Sequence, residues 1–200
     1  MTRVPGQAEV RRQLLGSARL KAALSARESA RIAQMGSVLV TTLWRGGRIY
    51  LCGNGGSAAD AQHLAAELVG CFMDRGRKAL PAVALTTDTS ILTAVGNDLG
   101  FTEVFARQVE ALVTRRDVLV CLSTSGRSAN VLAAARSARR LGARVLALTG
   151  SPGEPLASLA DLAVRVPSRD TQRIQECHIT VGHILCAAVD RAYLAGRKRS

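Results

Sequence analysis

The chain has 200 residues, of which 48% are hydrophobic and only 3% aromatic, and its formal net charge is +12. This length fits one domain of ordinary size, with a core built mainly from Ala, Val and Leu. The start of the sequence is too charged for a secretory leader. No apolar run approaches the ~20 residues that a membrane helix needs. We therefore expect a cytoplasmic protein without a membrane partner.

The positive charge is spread along the chain rather than gathered into one basic segment. Arginine pairs occur at 11–12, 115–116 and 139–140, and a short basic run ends the sequence. No aromatic residues alternate with these arginines, as they would in a surface that stacks single-stranded bases. We therefore consider nucleic acid an unlikely main partner.

The cysteines are odd in number, five in all, and no two of them form a CxxC pair. Cys52 and Cys121 lie in apolar, strand-like runs. This pattern favours reduced, buried thiols over disulfides or an activated nucleophile.

Helical patterns come first along the chain, and alternation of strands and helices follows. Apolar residues such as Leu14, Leu20 and Leu24 share a broad face, which predicts two helices over residues 7–46. From residue 47 onward, short apolar runs alternate with helical segments that include 57–71, 88–113, 129–141 and 172–195. The predicted strands are 48–52, 81–85, 118–122, 144–148 and 162–166.

This alternation predicts an α/β fold with a doubly wound, mainly parallel five-stranded sheet and additional N-terminal helices. We divide the chain into an N-terminal helical layer (1–46), a sheet-containing segment (47–195) and a basic tail (196–200). Together they are expected to form one structural domain.

The loop after the first predicted strand reads Gly53-Asn54-Gly55-Gly56-Ser57. In sheets of this type, ligands bind at the carboxyl ends of the strands. Glycines let the backbone turn sharply and approach a ligand closely. Ser57 is the predicted N-cap of the next helix, with Asp60 three residues later. A plain tight turn between strand and helix is the alternative interpretation.

The loop after the third predicted strand is rich in hydroxyl groups, with Ser123, Thr124, Ser125 and Ser128 within six residues. Hydroxyls and free backbone N–H groups at the start of a helix can all donate to phosphate oxygens. A simple N-cap would need one hydroxyl rather than four. The pattern therefore predicts a phosphate-binding loop.

All three histidines lie on the two helices expected near these loops. His63 and Glu67 are four residues apart and share one helix face. The last helix carries His178 and His183, together with Gln175 and Glu176, in an otherwise apolar stretch. The residue types suit either a metal site or an acid–base pair, and the spacing leaves both interpretations open.

Together these segments resemble the phosphoheptose (sedoheptulose-7-phosphate) isomerase family, which has the sugar isomerase (SIS) fold. The matching motifs cover roughly residues 30–195. They are Gly53 to Ser57 with Asp60, His63 and Glu67; Asn97-Asp98; Ser123 to Gly126 with Ser128 and Asn130; and Arg173 to Glu176 with His178 and His183.

The resemblance implies an aldose–ketose isomerase that converts sedoheptulose 7-phosphate to D-glycero-D-manno-heptose 7-phosphate. It implies Glu67 and His183 as the acid–base pair, and a zinc ion held by His63, Glu67, Gln175 and His183. It further implies a homotetramer with active sites at subunit interfaces. The implied sugar contacts are Asn54, Gly55, Gly56, Ser57, Glu67, Asn97, Asp98 and Gln175, and the implied phosphate contacts are Ser123, Thr124, Ser125 and Ser128.

Isomerisation through an enediol needs one base and one acid, which Glu67 and His183 would supply. A zinc ion would polarise the carbonyl group. However, Gln175 and His183 are eight residues apart, which is about 12 Å along a helix. Chelation by one straight helix is therefore strained. Two alternatives remain open: the side chains lean toward each other, or the ligands come from two subunits.

The chain departs from the family pattern at Cys71, where an arginine is expected after the Glu67 to Gly70 segment. Loss of this cation puts the identity of the sugar phosphate in doubt, although Arg75, Arg77 or Arg127 would be able to compensate.

Two other functions fit parts of the pattern. A non-catalytic SIS protein that binds a replication-initiator protein shares the segment from Gly53 to Asp60. That branch tends to lack the last-helix histidine, so His183 favours the enzyme. A sugar-phosphate sensor of a regulator would need a DNA-binding domain, for which the 46 residues before the first strand are short.

Overall fold

The computed structural model describes residues 6–197, with side chains described as far as residue 195. Five strands form one parallel sheet in the order β2-β1-β3-β4-β5. The predicted doubly wound sheet is thus confirmed. The strands are β1 (Ile49–Gly53), β2 (Ala82–Ala84), β3 (Val118–Ser123), β4 (Arg144–Thr149) and β5 (Leu162–Arg165).

The register of the central strands brings the two predicted ligand loops together. Cys52 pairs with Cys121, and Gly53 pairs with Leu122. Because β1 and β3 are parallel neighbours, the loops that follow them leave the same edge of the sheet side by side. Strands β1 and β3 are buried along their whole length.

Helices cover both faces of the sheet. One face packs against α1 (Gln7–Trp44), α2 (Gly56–Val69) and α7 (Thr171–Arg197). The other packs against α4 (Ala106–Leu112), α5 (Ala129–Arg140) and the short α6 (Leu156–Leu159), with α3 (Thr89–Asp98) and a 3-10 turn, Phe101–Glu103, at its margin. The core is aliphatic, as the composition indicates.

The N-terminal segment is one helix of 38 residues, so the prediction of two helices was wrong. Residues 7–44 hold no proline, and a Gly inside a helix costs only about 1 kcal/mol. Gly16 lies in open space. At Gly36, an added Cβ would lie 3.2 Å from the Cβ of Ala188, so this glycine marks a close contact with α7 rather than a helix end.

The prediction of one helix over residues 88–113 was also wrong, because the chain breaks it into α3, the 3-10 turn and α4. The break falls at Gly100, whose φ of 93° belongs to the left-handed region that glycine tolerates. The apolar periodicity continues across the break, which is why the sequence pattern did not show it.

No helix within residues 6–197 is both long enough and apolar enough to cross a membrane. Cys52, Cys121, Cys177 and Cys186 are free and buried, whereas Cys71 is exposed. Of the predicted basic tail, only the backbone of residues 196 and 197 is described, and residues 198–200 lie outside the described part of the chain.

Candidate functional site

A reciprocal pair of amide hydrogen bonds joins the two ligand loops. The Nδ2 atom of Asn54 donates to Oδ1 of Asn130 over 2.8 Å, and Nδ2 of Asn130 donates back to Oδ1 of Asn54 over 2.8 Å. Asn130 is buried at the start of α5. Asn54 therefore fixes one loop against the other, in addition to any contact it makes with a ligand.

The glycines of the first loop allow a close approach between α2 and α7. Gly55 precedes the first helical residue with a φ of 55°. A Cβ on Gly56 would lie 2.6 Å from Nε2 of Gln175, so the Gln175 carboxamide rests directly on the Gly56 backbone. Ser57 is not the N-cap, because the helix starts one residue earlier and Ser57 is buried within its first turn.

The hydroxyl loop, which we define as residues 123–128, packs closely against the backbone of a neighbouring loop. Gly126 has a φ of 68°, and an added Cβ would lie 2.1 Å from the carbonyl oxygen of Gly153. Ser128 occupies the N-cap position of α5, yet its side chain makes no capping bond. Its Oγ instead lies 3.0 Å from Oγ of Ser123. Oγ of Ser125 accepts from the backbone N–H of Arg127 over 3.2 Å. The serine hydroxyls thus make contacts within the loop, and phosphate binding by them stays a prediction.

A cleft of about 330 Å³ opens beside the hydroxyl loop. Thr124 and Ser125 line it together with Arg127 and Arg169, so two guanidinium groups accompany the hydroxyls. The combination of hydroxyl and arginine donors suits a phosphate group. Arg169 was missed by sequence reasoning, since it lies in a loop between β5 and α7 and only the fold brings it to this cleft.

A second group of polar side chains lies where α2 and α7 pack together. Gly182 lets the helices come close, because an added Cβ there would lie 2.5 Å from Cδ2 of Leu64. The neighbouring imidazoles then meet, with Nε2 of His63 2.9 Å from Nε2 of His183. Oε1 of Glu67 lies 3.3 Å from Nε2 of His63. We call His63, Glu67 and His183 the imidazole–carboxylate cluster.

The cluster has the donors and spacing of a metal site. One ligand atom from each of its three residues lies within 4.8 Å of the other two. Two imidazole nitrogens and a carboxylate oxygen form a known zinc ligand set that leaves a coordination position open. The ring of Phe72 stacks on His183 with 5.7 Å between centroids and covers one side of the cluster.

Asp60 lies on α2 close to the cluster and was given no role from the sequence. Its Oδ2 atom is buried and has no hydrogen-bond partner among the described residues. Burial raises the pKa of this carboxyl group, and the positive charge of protonated His63 and His183 partly opposes the shift. Burial thus disfavours the charged form of Asp60, and the two imidazoles are the groups that favour it.

Arg77 cannot replace the arginine expected at Cys71, because its side chain is buried and fully engaged. It forms a 2.7 Å ion pair with Asp190 on α7. It also donates to the carbonyl oxygens of Glu67 and Leu68, both over 2.9 Å. Arg77 thus ends α2 and fixes the backbone of Glu67 against α7. Arg75 and Arg127 remain exposed.

His178 lies apart from the cluster, although the sequence left it as an alternative to His183. It is completely buried on the inner side of α7. Burial disfavours the charged ring and lowers the pKa of His178 to about 4, while the nearby backbone of Thr149 opposes the shift. His178 is therefore a neutral core residue at physiological pH.

The remaining predicted residues lie at different distances from the two loops and the imidazole–carboxylate cluster. Gln175 contacts the first loop and lies eight residues before His183 on α7. Asn97 and Asp98 are exposed at the end of α3, where Nδ2 of Asn97 donates to Oδ1 of Asp98 over 2.7 Å. Among the described residues, neither forms a hydrogen bond to the two loops or to the cluster.

Comparison with known proteins agrees with the fold and with the motifs. Residues 16–150 match the family model described as the SIS domain. The phosphoheptose isomerase of Rhodospirillum rubrum is 55% identical over 161 residues, which cover 80% of this chain and 85% of the relative. That of Aquifex aeolicus is 52% identical over 174 residues, covering 87% and 91%.

Solved structures give the same result. The phosphoheptose isomerase of Neisseria gonorrhoeae superposes with a TM-score of 0.87 at 45% identity, covering 92% of this chain and 98% of the other. That of Francisella tularensis gives a TM-score of 0.90 at 37% identity, with 94% and 100% covered. The chain therefore belongs to the phosphoheptose isomerase family of SIS domain proteins.

Proposed function

We propose that this protein is an aldose–ketose isomerase that converts sedoheptulose 7-phosphate to D-glycero-D-manno-heptose 7-phosphate. The observation that carries the proposal is the course of α7 past three sets of functional groups. Ile174 borders the cleft at the hydroxyl loop, Gln175 rests on the first loop, and His183 joins the imidazole–carboxylate cluster. We infer that this one helix would position both a phosphate site and an acid–base site.

The hydroxyl loop would bind the phosphate group. Ser123, Thr124, Ser125 and Ser128 are the proposed donors. Arg127 and Arg169 add positive charge at the same cleft. Charge-assisted hydrogen bonds of this kind are stronger than those between neutral groups. Anchoring the phosphate fixes the chain of the sugar, so that its reacting carbons are presented to a defined place in the site.

The cluster would carry the proton transfer. The Glu67 carboxylate is suited to remove the proton from C1 of the ketose, and an N–H group of His183 is suited to donate to the carbonyl oxygen at C2. Return of a proton from Glu67 to C2, with loss of the C1 hydroxyl proton to His183, completes the aldose. Asn54, Gly55, Gly56, Ser57, Asn97, Asp98 and Gln175 are the proposed sugar contacts.

We further propose that the cluster holds one zinc ion, with His63, Glu67 and His183 as ligands and Gln175 as the predicted fourth. The two imidazoles and the carboxylate fit this ion by type and spacing. A bound zinc ion would polarise the substrate carbonyl and stabilise negative charge on its oxygen. The second carboxylate oxygen of Glu67 would then remain free to take the C1 proton.

We propose a homotetramer, assembled through α1 and α7, that acts in the cytoplasm. Leu14 and Leu15 on the outer half of α1 and Ile184 on α7 are large apolar side chains exposed to solvent. Such surfaces usually mark an interface. Free buried thiols are typical of a reducing compartment.

The proposed assembly is tested by sedimentation. The double variant Leu14→Glu/Leu15→Glu should sediment as a smaller species, whereas Arg19→Glu should not. A monomeric wild type would contradict the assembly.

The non-catalytic alternative is not favoured, because the relatives at about half identity are named as isomerases. The direct test is turnover of sedoheptulose 7-phosphate by purified protein with and without added zinc. Activity that falls on chelation and returns with zinc supports both proposals. Activity unchanged by chelation contradicts the zinc proposal alone. Metal-replete protein that isomerises no sugar phosphate contradicts the function.

A further inference from the structure

The amino edge of the sheet, opposite the candidate site, carries a concentration of arginines from separate elements. Arg45 follows the last turn of α1, Arg48 precedes β1, Arg115 and Arg116 precede β3, and Arg144 begins β4. Because all strands are parallel, these residues gather at one end of the sheet. The hydroxyl loop lies at the other end, about 16–20 Å away along a strand of five to six residues.

These side chains line two adjoining hollows that share Arg115, Arg116 and Asp117. The volumes are about 400 and 480 Å³. Arg45 and Arg144 complete one hollow, and Arg48 the other. We call the two hollows together the arginine cleft.

Most of the positive charge in the cleft has no counterpart within the protein. Arg45, Arg115 and Arg116 are exposed and form no ion pair or side-chain hydrogen bond with any residue in the range 6–197. Arg144 is paired with Asp161 over 3.5 Å. The cleft therefore presents at least three unpaired guanidinium groups, which repel one another when no anion is present.

Asp117 lines both hollows, but its carboxylate oxygens accept from backbone N–H groups and a hydroxyl rather than from the guanidinium groups of the cleft. Its Oδ1 atom accepts from the backbone N–H of Arg48 over 2.7 Å, and its Oδ2 accepts from the backbone N–H and the hydroxyl of Thr114. The residue is buried. Its oxygens are consumed in holding the turn before β3, which orients the Arg115–Arg116 pair towards the hollows.

We propose that the arginine cleft is a second anion site, which binds a small ligand with a chain of phosphate groups, either free polyphosphate or a nucleoside triphosphate. Guanidinium groups bind phosphate oxygens with paired hydrogen bonds. Three or more of them from separate segments match several linked phosphates better than a single one. None of the residues that line the hollows is aromatic, which argues against a stacking platform for single-stranded nucleic acid.

Trp44 provides the means to detect binding. It is the only tryptophan of the chain, it is 63% exposed, and it directly precedes Arg45. Tripolyphosphate in the cleft should therefore change the fluorescence of the wild-type protein in a saturable manner. Calorimetry with tripolyphosphate and with ATP would give the two affinities. Equal affinities would identify the phosphate chain as the recognised group, and tighter ATP binding would identify the nucleotide.

The decisive comparison uses three variants, each with two residues replaced by alanine. Arg115→Ala/Arg116→Ala should weaken tripolyphosphate binding at least 10-fold. Arg19→Ala/Arg136→Ala removes the same charge from exposed sites outside the hollows and should change it less than 3-fold. Ser125→Ala/Ser128→Ala at the hydroxyl loop should leave the Trp44 response intact. Circular dichroism and isomerase turnover of the Arg115/Arg116 variant would show that it is folded.

Several outcomes would overturn the proposal. One is the absence of saturable binding at millimolar tripolyphosphate. Another is an equal loss of binding in the two arginine variants, which would indicate nonspecific attraction by net charge. Loss of binding in the Ser125/Ser128 variant would assign the ligand to the hydroxyl loop. Much tighter binding of a single-stranded oligonucleotide than of tripolyphosphate would assign the surface to nucleic acid instead.

Discussion

The hydroxyl loop and the imidazole–carboxylate cluster are assembled in opposite ways. The hydroxyls of the loop come from one short stretch between β3 and α5, although Gly126 within it packs closely against Gly153 of the loop after β4. The cluster unites His63 and His183, which are 120 residues apart, and it exists because α2 and α7 pack closely at Gly182. One continuous segment thus supplies the hydroxyls of the proposed phosphate site, whereas helix packing brings together the residues of the proposed site of chemistry.

The largest effect is expected from Glu67→Gln, because it removes the proposed base while keeping the size of the side chain. We expect kcat to fall by at least ~100-fold, with little change in KM. Steady-state kinetics on sedoheptulose 7-phosphate would measure this. His183→Ala should behave similarly, and a Glu67→Gln enzyme with near wild-type kcat would remove Glu67 from the mechanism.

Gly182→Ala tests the dependence of the cluster on helix packing. The new methyl group would lie 2.5 Å from Cδ2 of Leu64, so either this buried side chain repacks or α2 and α7 move apart, and we expect the two imidazoles to be displaced. We expect kcat to fall by more than ~10-fold, since small misplacements of reacting groups are costly. Gly16→Ala is the matched control in open space on α1 and should leave kcat unchanged. Equal kinetics for both variants would refute the packing argument.

Ser125→Ala and Ser128→Ala test the loop without disturbing the cluster. Each removes one hydroxyl donor to the phosphate and should cost about 1–2 kcal/mol, or roughly 5- to 30-fold in KM. The kcat value should change much less. A form of the sugar without phosphate should be a poor substrate for the wild type. If the enzyme turns it over as efficiently as the phosphorylated sugar, the loop has a different role.

The smallest effect on turnover is expected from His178→Gln, since His178 is buried away from the cluster. The substitution should instead change how the free energy of unfolding depends on pH. The folded pKa of about 4 lies below the ordinary value of 6.5, so the unfolded chain binds the proton first as pH falls. Stability is therefore lost between about pH 6.5 and 4, by about 2 kcal/mol at pH 5. Denaturant unfolding at pH 7 and 5 should show less pH dependence in the variant; an unchanged dependence would contradict the assignment.

The sequence predicted most of what depends on local pattern. Strand–helix alternation indicated the parallel sheet, and four hydroxyls at a helix start indicated the loop that the fold places at the cleft. The spacing of His63 and Glu67 correctly indicated that they share a face. The same kind of reasoning cannot detect a break that keeps the apolar period, as at Gly100, nor a long helix with a glycine at position 16.

The parts that sequence reasoning missed depend on tertiary packing. Arg169 reaches the cleft only through the path of the chain after β5. Arg77 is buried by its ion pair with Asp190, a partner far away in sequence. The residue pattern alone left His178 and His183 as alternatives, because an apolar helix with two histidines does not reveal which one faces the sheet. The family resemblance implied His183, and the structure buries His178 in the core.

The most direct test of the central claim is isomerisation of sedoheptulose 7-phosphate in D₂O, followed by NMR of the product. Proton transfer through an enediol, carried by Glu67 and His183, predicts an aldose with substantial deuterium at C2. The Glu67→Gln variant should show neither product nor exchange above background. Full activity of the Glu67→Gln variant, with or without deuterium at C2, would contradict the proposed acid–base chemistry.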